Sequence, residues 1–268
     1  ALGVFAVLRQ RSLVGDALAH AALPGVCVAF LLTGAKDAAT LLAGAACAGL
    51  VGALLMVGIE RTSRIRPDAA VGVVLSSFFS LGIVLLTAIA ATNDANQAGL
   101  DRYLFGQAAG LLERDLTVMA ALALVSLAVV AVGFRALKTT LFDPAFAGAV
   151  GLPVRALEVL MTALLVVAVV VGLRTVGAIL MVAMLVVPAV AARQLCGRLR
   201  ALLPLAAALG AAVGVAGALL AAEAQVPTGP AIVLVGVAVA ILAVALAPGR
   251  GVVWQARTLA RDRRRTLR

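Results

Sequence analysis

Leu, Val and Ala continue around whole helical turns for about 20 residues at a time, again and again along this 268-residue chain. A helix of about 20 residues rises ~30 Å, the thickness of bilayer hydrocarbon. A soluble helix keeps a polar face opposite its apolar stripe, and these segments keep none. Only 13% of the residues are charged and 64% are hydrophobic, where a soluble domain carries about a quarter charged. No soluble fold buries so many helices that are apolar on every side, so the chain is read as an all-α, polytopic transmembrane bundle.

Apolar spans are predicted at 1–8 (partial), 13–33, 38–59, 69–91, 116–134, 156–172, 174–192, 201–222 and 230–247, about eight or nine in all. Residues 1–248 form the membrane domain, and 249–268 a basic tail. The opening ALGVFAVL reads as the end of a helix, without the basic segment and cleavage site of a signal peptide. Orientation follows from the positive charges between spans. Arg9 and Arg11, then Arg61, Arg64 and Arg66, then Arg135, Lys138 and Arg155, then Arg193, Arg198 and Arg200, and finally the tail are separated by even numbers of crossings. All five places can therefore be cytoplasmic together. The remaining connections, around Lys36–Asp37, 92–115, Gly172–Arg174 and Glu223–Thr228, carry few positive charges.

Net charge is +10, and the stretch from Arg250 to Arg268 holds seven arginines against one acid, Asp262. Directly after an apolar span, such a tail reads as a cytoplasmic segment near anionic lipid rather than a nucleic-acid arm. Cys27, Cys47 and Cys196 stand singly among apolar residues, without metal-ligand spacing, and read as small packing residues.

Two connections exceed a turn. Residues 92–115 face outward and hold the only tyrosine, Tyr103. The inward connection 135–155 contains TTLFDPAFAGAVGLPVR. There Asp143 suits an N-cap, Pro144 the first helical position and Gly151 the residue just past the end. These predict a short amphipathic helix over 144–150, lying on the membrane or on a partner.

An ionisable residue within a span costs a few kcal/mol or more and needs a partner or a task. The second span, SLVGDALAHAALPGVCVAFLL, holds Asp16 and His20, the only histidine. Four residues apart on a helix, they share a face and can both reach one ion. Carboxylate oxygen with imidazole nitrogen suits Mn²⁺, Fe²⁺ or Zn²⁺, and the lack of thiolate argues against a closed structural zinc site. A hydrogen-bonded Asp–His pair that fixes helix packing is the alternative the spacing leaves open. Pro24 and Gly25 follow at once, a pair that can break a helix and turn carbonyls toward a cavity. Glu223, at the outer end of the eighth span, is the best further ligand candidate, against a plain solvated carboxylate. Ser76, Ser77 and Ser80 beside Phe78 and Phe79 are read as packing residues, Arg174 as snorkelling to the interface, and Asp68 as a helix-N-terminal carboxylate. No nucleotide-binding, nucleophile-elbow or zinc-protease motif occurs.

VGDALAHAALPGVCVAFLL resembles the signature segment of the membrane permeases of bacterial ATP-binding-cassette importers for manganese, zinc and iron. RPDAAVGVVLSSFFSLGIVLL, YLFGQ, LFDPAFAGAVGLPVRALE, VGAILMVAMLVVPAVAARQL and VPTGPAIVLV continue the match in the family's order, from Gly15 to about Leu246. The resemblance implies that Asp16 and His20 ligate the transported metal. It implies that Asp143, Pro144, Phe146 and Gly151 belong to a coupling helix docking on a separate cytoplasmic ATPase. It also implies a second permease copy, an extracytoplasmic metal-binding protein, and a bacterial cell membrane location with the C-terminus inside.

The expectation is thus a transport subunit, not an enzyme, with no permanent cofactor and with Mn²⁺, Zn²⁺ or Fe²⁺ as cargo. The single histidine tilts the choice toward manganese. A permease for chelated iron or a vitamin, with a structural Asp–His pair, is one alternative. A membrane-embedded metalloenzyme is another.

Overall fold

The computed structural model describes residues 1–9, 12–34, 38–91 and 113–247. The outward connection with Tyr103, the basic tail and the Arg174 side chain lie outside the described residues. Eleven helices follow in order among those described: α1 Leu2–Leu8, α2 Ser12–Thr33, α3 Ala38–Thr62, α4 Pro67–Ala91, α5 Glu113–Val132, α6 Phe134–Phe142, α7 Pro144–Ala149, α8 Val154–Val176, α9 Ala178–Leu195, α10 Leu199–Ala224 and α11 Thr228–Leu246. The molecule is an all-α, multi-pass membrane bundle.

The number of spans is lower than the sequence predicts. Six described helices are long and apolar enough to cross a bilayer, or seven if α5 and α6, bent by 72° between Val132 and Phe134, form one broken span. α1, Leu2–Leu8, coincides with the partial span at 1–8. α9, Ala178–Leu195, has 18 residues, the short end of spanning length. Its start follows from where α8 stops. The sequence places that break at Gly172–Arg174, but α8 continues to Val176 and turns at Gly177 with φ 87°. Only glycine takes such a φ without strain. Gly172 stays helical, and its bare Cα lies against the Met181 side chain.

α2 is the central helix. In its apolar window 72% of residues are buried, against 22% in α4 and in α10. It packs on α3, α4, α8 and α9, and one core gathers Leu18, Val26, Leu41, Val166 and Leu173 around it. A second core joins α1, α5, α6, α8, α9 and α10 through Phe5, Leu137, Met161 and Leu203. Small residues set the closest approach. A Cβ on Gly25 would meet the Gly44 carbonyl, and one on Gly44 would meet the Gly25 carbonyl. The α2 and α3 backbones therefore touch directly, the packing mode that membranes favour where no hydrophobic effect drives helices together.

This corrects the expected break at Pro24–Gly25. α2 runs unbroken from Ser12 to Thr33 with Pro24 inside it. Gly25 serves contact with α3, and neighbouring helices hold the proline-containing turn in place.

Candidate metal site and docking helix

Asp16 and His20 lie one turn apart on α2, with His20 Nε2 3.4 Å from Asp16 Oδ1. The His20 side chain is 16% exposed and that of Asp16 30%. The His20 ring stands edge-on to Phe79 of α4, with centroids 4.8 Å apart and planes at 74°. Its Nδ1 is buried and has no hydrogen-bond partner. Phe79 thus fixes the ring, and the polar edge carrying Nε2 is the one that meets Asp16. An ion about 2.1 Å from both Oδ1 and Nε2 would see them about 108° apart, close to the tetrahedral angle.

Pro24 removes one hydrogen bond from the helix that carries the pair. In an α-helix the amide of residue 24 bonds to the carbonyl of residue 20. Proline has no N–H to give, so the His20 carbonyl lacks its ordinary helical donor. The i, i+4, i+8 spacing of Asp16, His20 and Pro24 sets all three on one side of α2.

The two side chains do not complete a site alone. No group of three His, Cys, Asp or Glu residues able to hold a metal occurs among the described residues. Glu223 is exposed in the last turn of α10 and is not gathered with the pair. Sequence reasoning chose it because it is acidic near an apolar span, and that criterion carries no information on distance.

Ser76, Ser77 and Ser80 were read as packing residues, yet all three are exposed. Ser76 and Ser80 flank Phe79 on α4, next to the His20 ring. These hydroxyls are open to the surface of an apolar span. Their signal in sequence was the run of hydroxyls within an apolar span, the same signal that marks close helix contacts. Cys27 is buried, its Sγ 3.9 Å from the Gly82 carbonyl of α4, which fits the packing role read for it; Cys47 is exposed.

At the junction of α6 and α8 the short helix forms at Pro144–Ala149, one residue shorter than predicted. Asp143 caps it, accepting the Phe146 amide at 2.9 Å, and Pro144 takes the first turn. Gly151 has φ 83°. Its amide reaches the Gly148 carbonyl at 3.1 Å, and the Leu152 amide reaches the Ala147 carbonyl at 2.9 Å, a Schellman closure. Both ends are thus satisfied between Asp143 and Leu152. Ala147 is fully buried, while Phe142, Phe146 and Val150 are 61%, 57% and 61% exposed. The helix is capped at both ends, anchored through Ala147 and apolar on its exposed side.

Comparison with known proteins places these features in context. The family model described as the ABC 3 transport family matches residues 1–247. The chain is 46% identical over 268 residues to the manganese transport system membrane protein MntC of Bacillus subtilis, spanning 62% of that protein's length. It is 45% identical over 255 residues to the zinc transport system membrane protein TroC of Treponema pallidum, spanning 86% of that protein. The solved structure of PsaBC from Streptococcus pneumoniae in complex with Fab superposes with a TM-score of 0.82 at 32% identity, over 93% of this chain and 86% of that one.

Proposed function

The chain belongs to the ABC 3 transport family, and on that footing we propose that it is the membrane-spanning subunit of an ATP-driven importer of divalent transition-metal ions, manganese first, with zinc and iron as the related cargoes. The observation that carries this reading is the Asp16–His20 pair, held 3.4 Å apart within the central helix. The names of the manganese and zinc relatives support the cargo class. They lend no support to a chelate permease or a membrane metalloenzyme.

The ion would be held by Asp16 Oδ1 and His20 Nε2, one oxygen and one nitrogen. A single imidazole beside a carboxylate and water suits Mn²⁺ at least as well as Zn²⁺. Remaining positions fall to water and to a second copy of the chain, whose own Asp16 and His20 would face the first across the exposed Ser76–Ser80 side of α4. A half-site in each copy suits transport, because separating the copies lowers affinity and releases the ion. Two packings of the pair of copies, biased by ATP and by the delivering protein, then alternate access.

The positive connections set the direction. With Arg61, Arg64 and Arg66, the α9–α10 junction, α7 and the tail on the cytoplasmic side, a metal-binding protein would deliver ions at the opposite face. The exposed Phe142, Phe146 and Val150 then form the seat for a cytoplasmic ATPase. The exposed apolar ring pair on a doubly capped helix supports this role, since a rigid knob transmits displacement where a loose loop absorbs it.

Metal binding by the purified protein tests the proposal. Titration with Mn²⁺ should give a stoichiometric site whose affinity falls more than about tenfold in Asp16→Ala and in His20→Ala. Unchanged binding in both variants would remove the pair from the path.

A further inference from the structure

On the same side of the molecule as α7, a cavity of about 420 Å³ opens between α3, α6 and α8. One end is charged: Arg9, Glu60, Arg61 and Glu158 line it. Glu158 Oε1 lies 3.5 Å from Arg9 Nη2, and Glu158 Oε2 lies 3.9 Å from Arg61 Nη2. The second separation exceeds hydrogen-bond length, so the Arg61 fork is held by charge alone and retains donors to offer. Thr140 also lines the cavity, fully buried, with its Oγ1 unpartnered.

The other walls are apolar and open sideways. Leu50, Leu54 and Val159 are 40%, 61% and 54% exposed on the outer faces of α3 and α8. From Arg61 back to Leu50 is eleven residues of helix, ~16 Å, and one leaflet's hydrocarbon is ~15 Å deep. The cavity therefore carries charge at interface height and apolar wall for the depth of one leaflet.

We propose that this cavity binds one phospholipid with a primary-ammonium headgroup, an ethanolamine phospholipid, drawn from the leaflet on the α7 side. Two carboxylates and two guanidiniums at one end match a headgroup bearing both signs, whereas an anionic headgroup would meet Glu60 and Glu158 unfavourably. Phosphate suits the planar Arg61 fork, the ammonium donates to Glu60 and Glu158, and Thr140 Oγ1 donates to phosphate or ester oxygen. A quaternary ammonium donates no hydrogen bond and is recognised by aromatic faces; no aromatic residue among those described lines the cavity. The acyl chain lies along Leu50, Leu54 and Val159. This assignment is independent of the cargo.

Native mass spectrometry of the full-length protein tests it, after delipidation and reloading from equimolar ethanolamine and glycerol phospholipids of matched chains. One lipid should stay bound, the ethanolamine form by about tenfold. Glu60→Gln with Glu158→Gln should bring the two forms to parity. Val159→Trp, at an exposed position that folding tolerates, should fill the cavity and abolish retention while leaving the melting midpoint in place. A wild type that retains no lipid, equal retention of the two forms by wild type, or full retention by Val159→Trp would each overturn the proposal.

Discussion

Pro24 stands four residues after His20 in the middle of an unbroken helix, where a proline costs about 3 kcal/mol relative to alanine. Pro24→Ala should therefore raise the melting midpoint by restoring the helical bond to the His20 carbonyl. An unchanged midpoint would show that the neighbours of α2 already compensate for the proline. Gly25 makes the opposite forecast. Alanine favours a helix by about 1 kcal/mol, but its Cβ would collide with the Gly44 backbone, which cannot step aside. Gly25→Ala should destabilise by roughly 1–3 kcal/mol, read as a lower melting midpoint. Asp16 and His20 were legible in the sequence because lipid makes ionisable residues conspicuous in an apolar span. The roles of Pro24 and Gly25 were not, since a Pro–Gly pair reads as a break unless the neighbour that holds the turn is known.

At the scale of the element, α7 was legible almost to the residue. Cap, first-turn proline and C′ glycine are local chemistry that neighbours do not override. Asp143→Ala should cost about 1 kcal/mol of local stability, and Gly151→Val a further 1–2 kcal/mol from left-handed strain. Both should weaken stimulation of the partner ATPase and transport together; full coupling in Asp143→Ala with Phe146→Ala would show that α7 is not the seat. The end of α8 was not legible. Gly172 and Gly177 are both plausible breakers in sequence, and the choice between them lies in tertiary contact: Gly172 accommodates Met181, leaving Gly177 to make the turn.

For the whole molecule, the all-α membrane fold followed from the bilayer's demand that every spanning backbone group be bonded within its own segment. The number of spans did not, because apolar length does not distinguish a straight crossing from the bent α5–α6 pair. Further donors for an ion at Asp16 and His20 were equally out of reach. Among the described residues the chain gathers no third His, Cys, Asp or Glu with them, and no pattern in one chain announces donors from a second copy or from water. Orientation is open to a simple check. In a background without native cysteines, Phe146→Cys should react with an impermeant thiol reagent only from the cytoplasmic side, and Thr228→Cys only from the outside. Labelling of both from one side would contradict the topology.

The central claim is that Asp16 and His20 hold the transported ion. Its most direct test is uptake of Mn²⁺ and Zn²⁺ by cells carrying the complete transport system with wild-type, Asp16→Ala or His20→Ala protein at matched membrane levels. The account predicts that either substitution lowers uptake of both ions more than about tenfold while the ATPase still assembles on the membrane subunit. Wild-type uptake of both ions by both variants would contradict it.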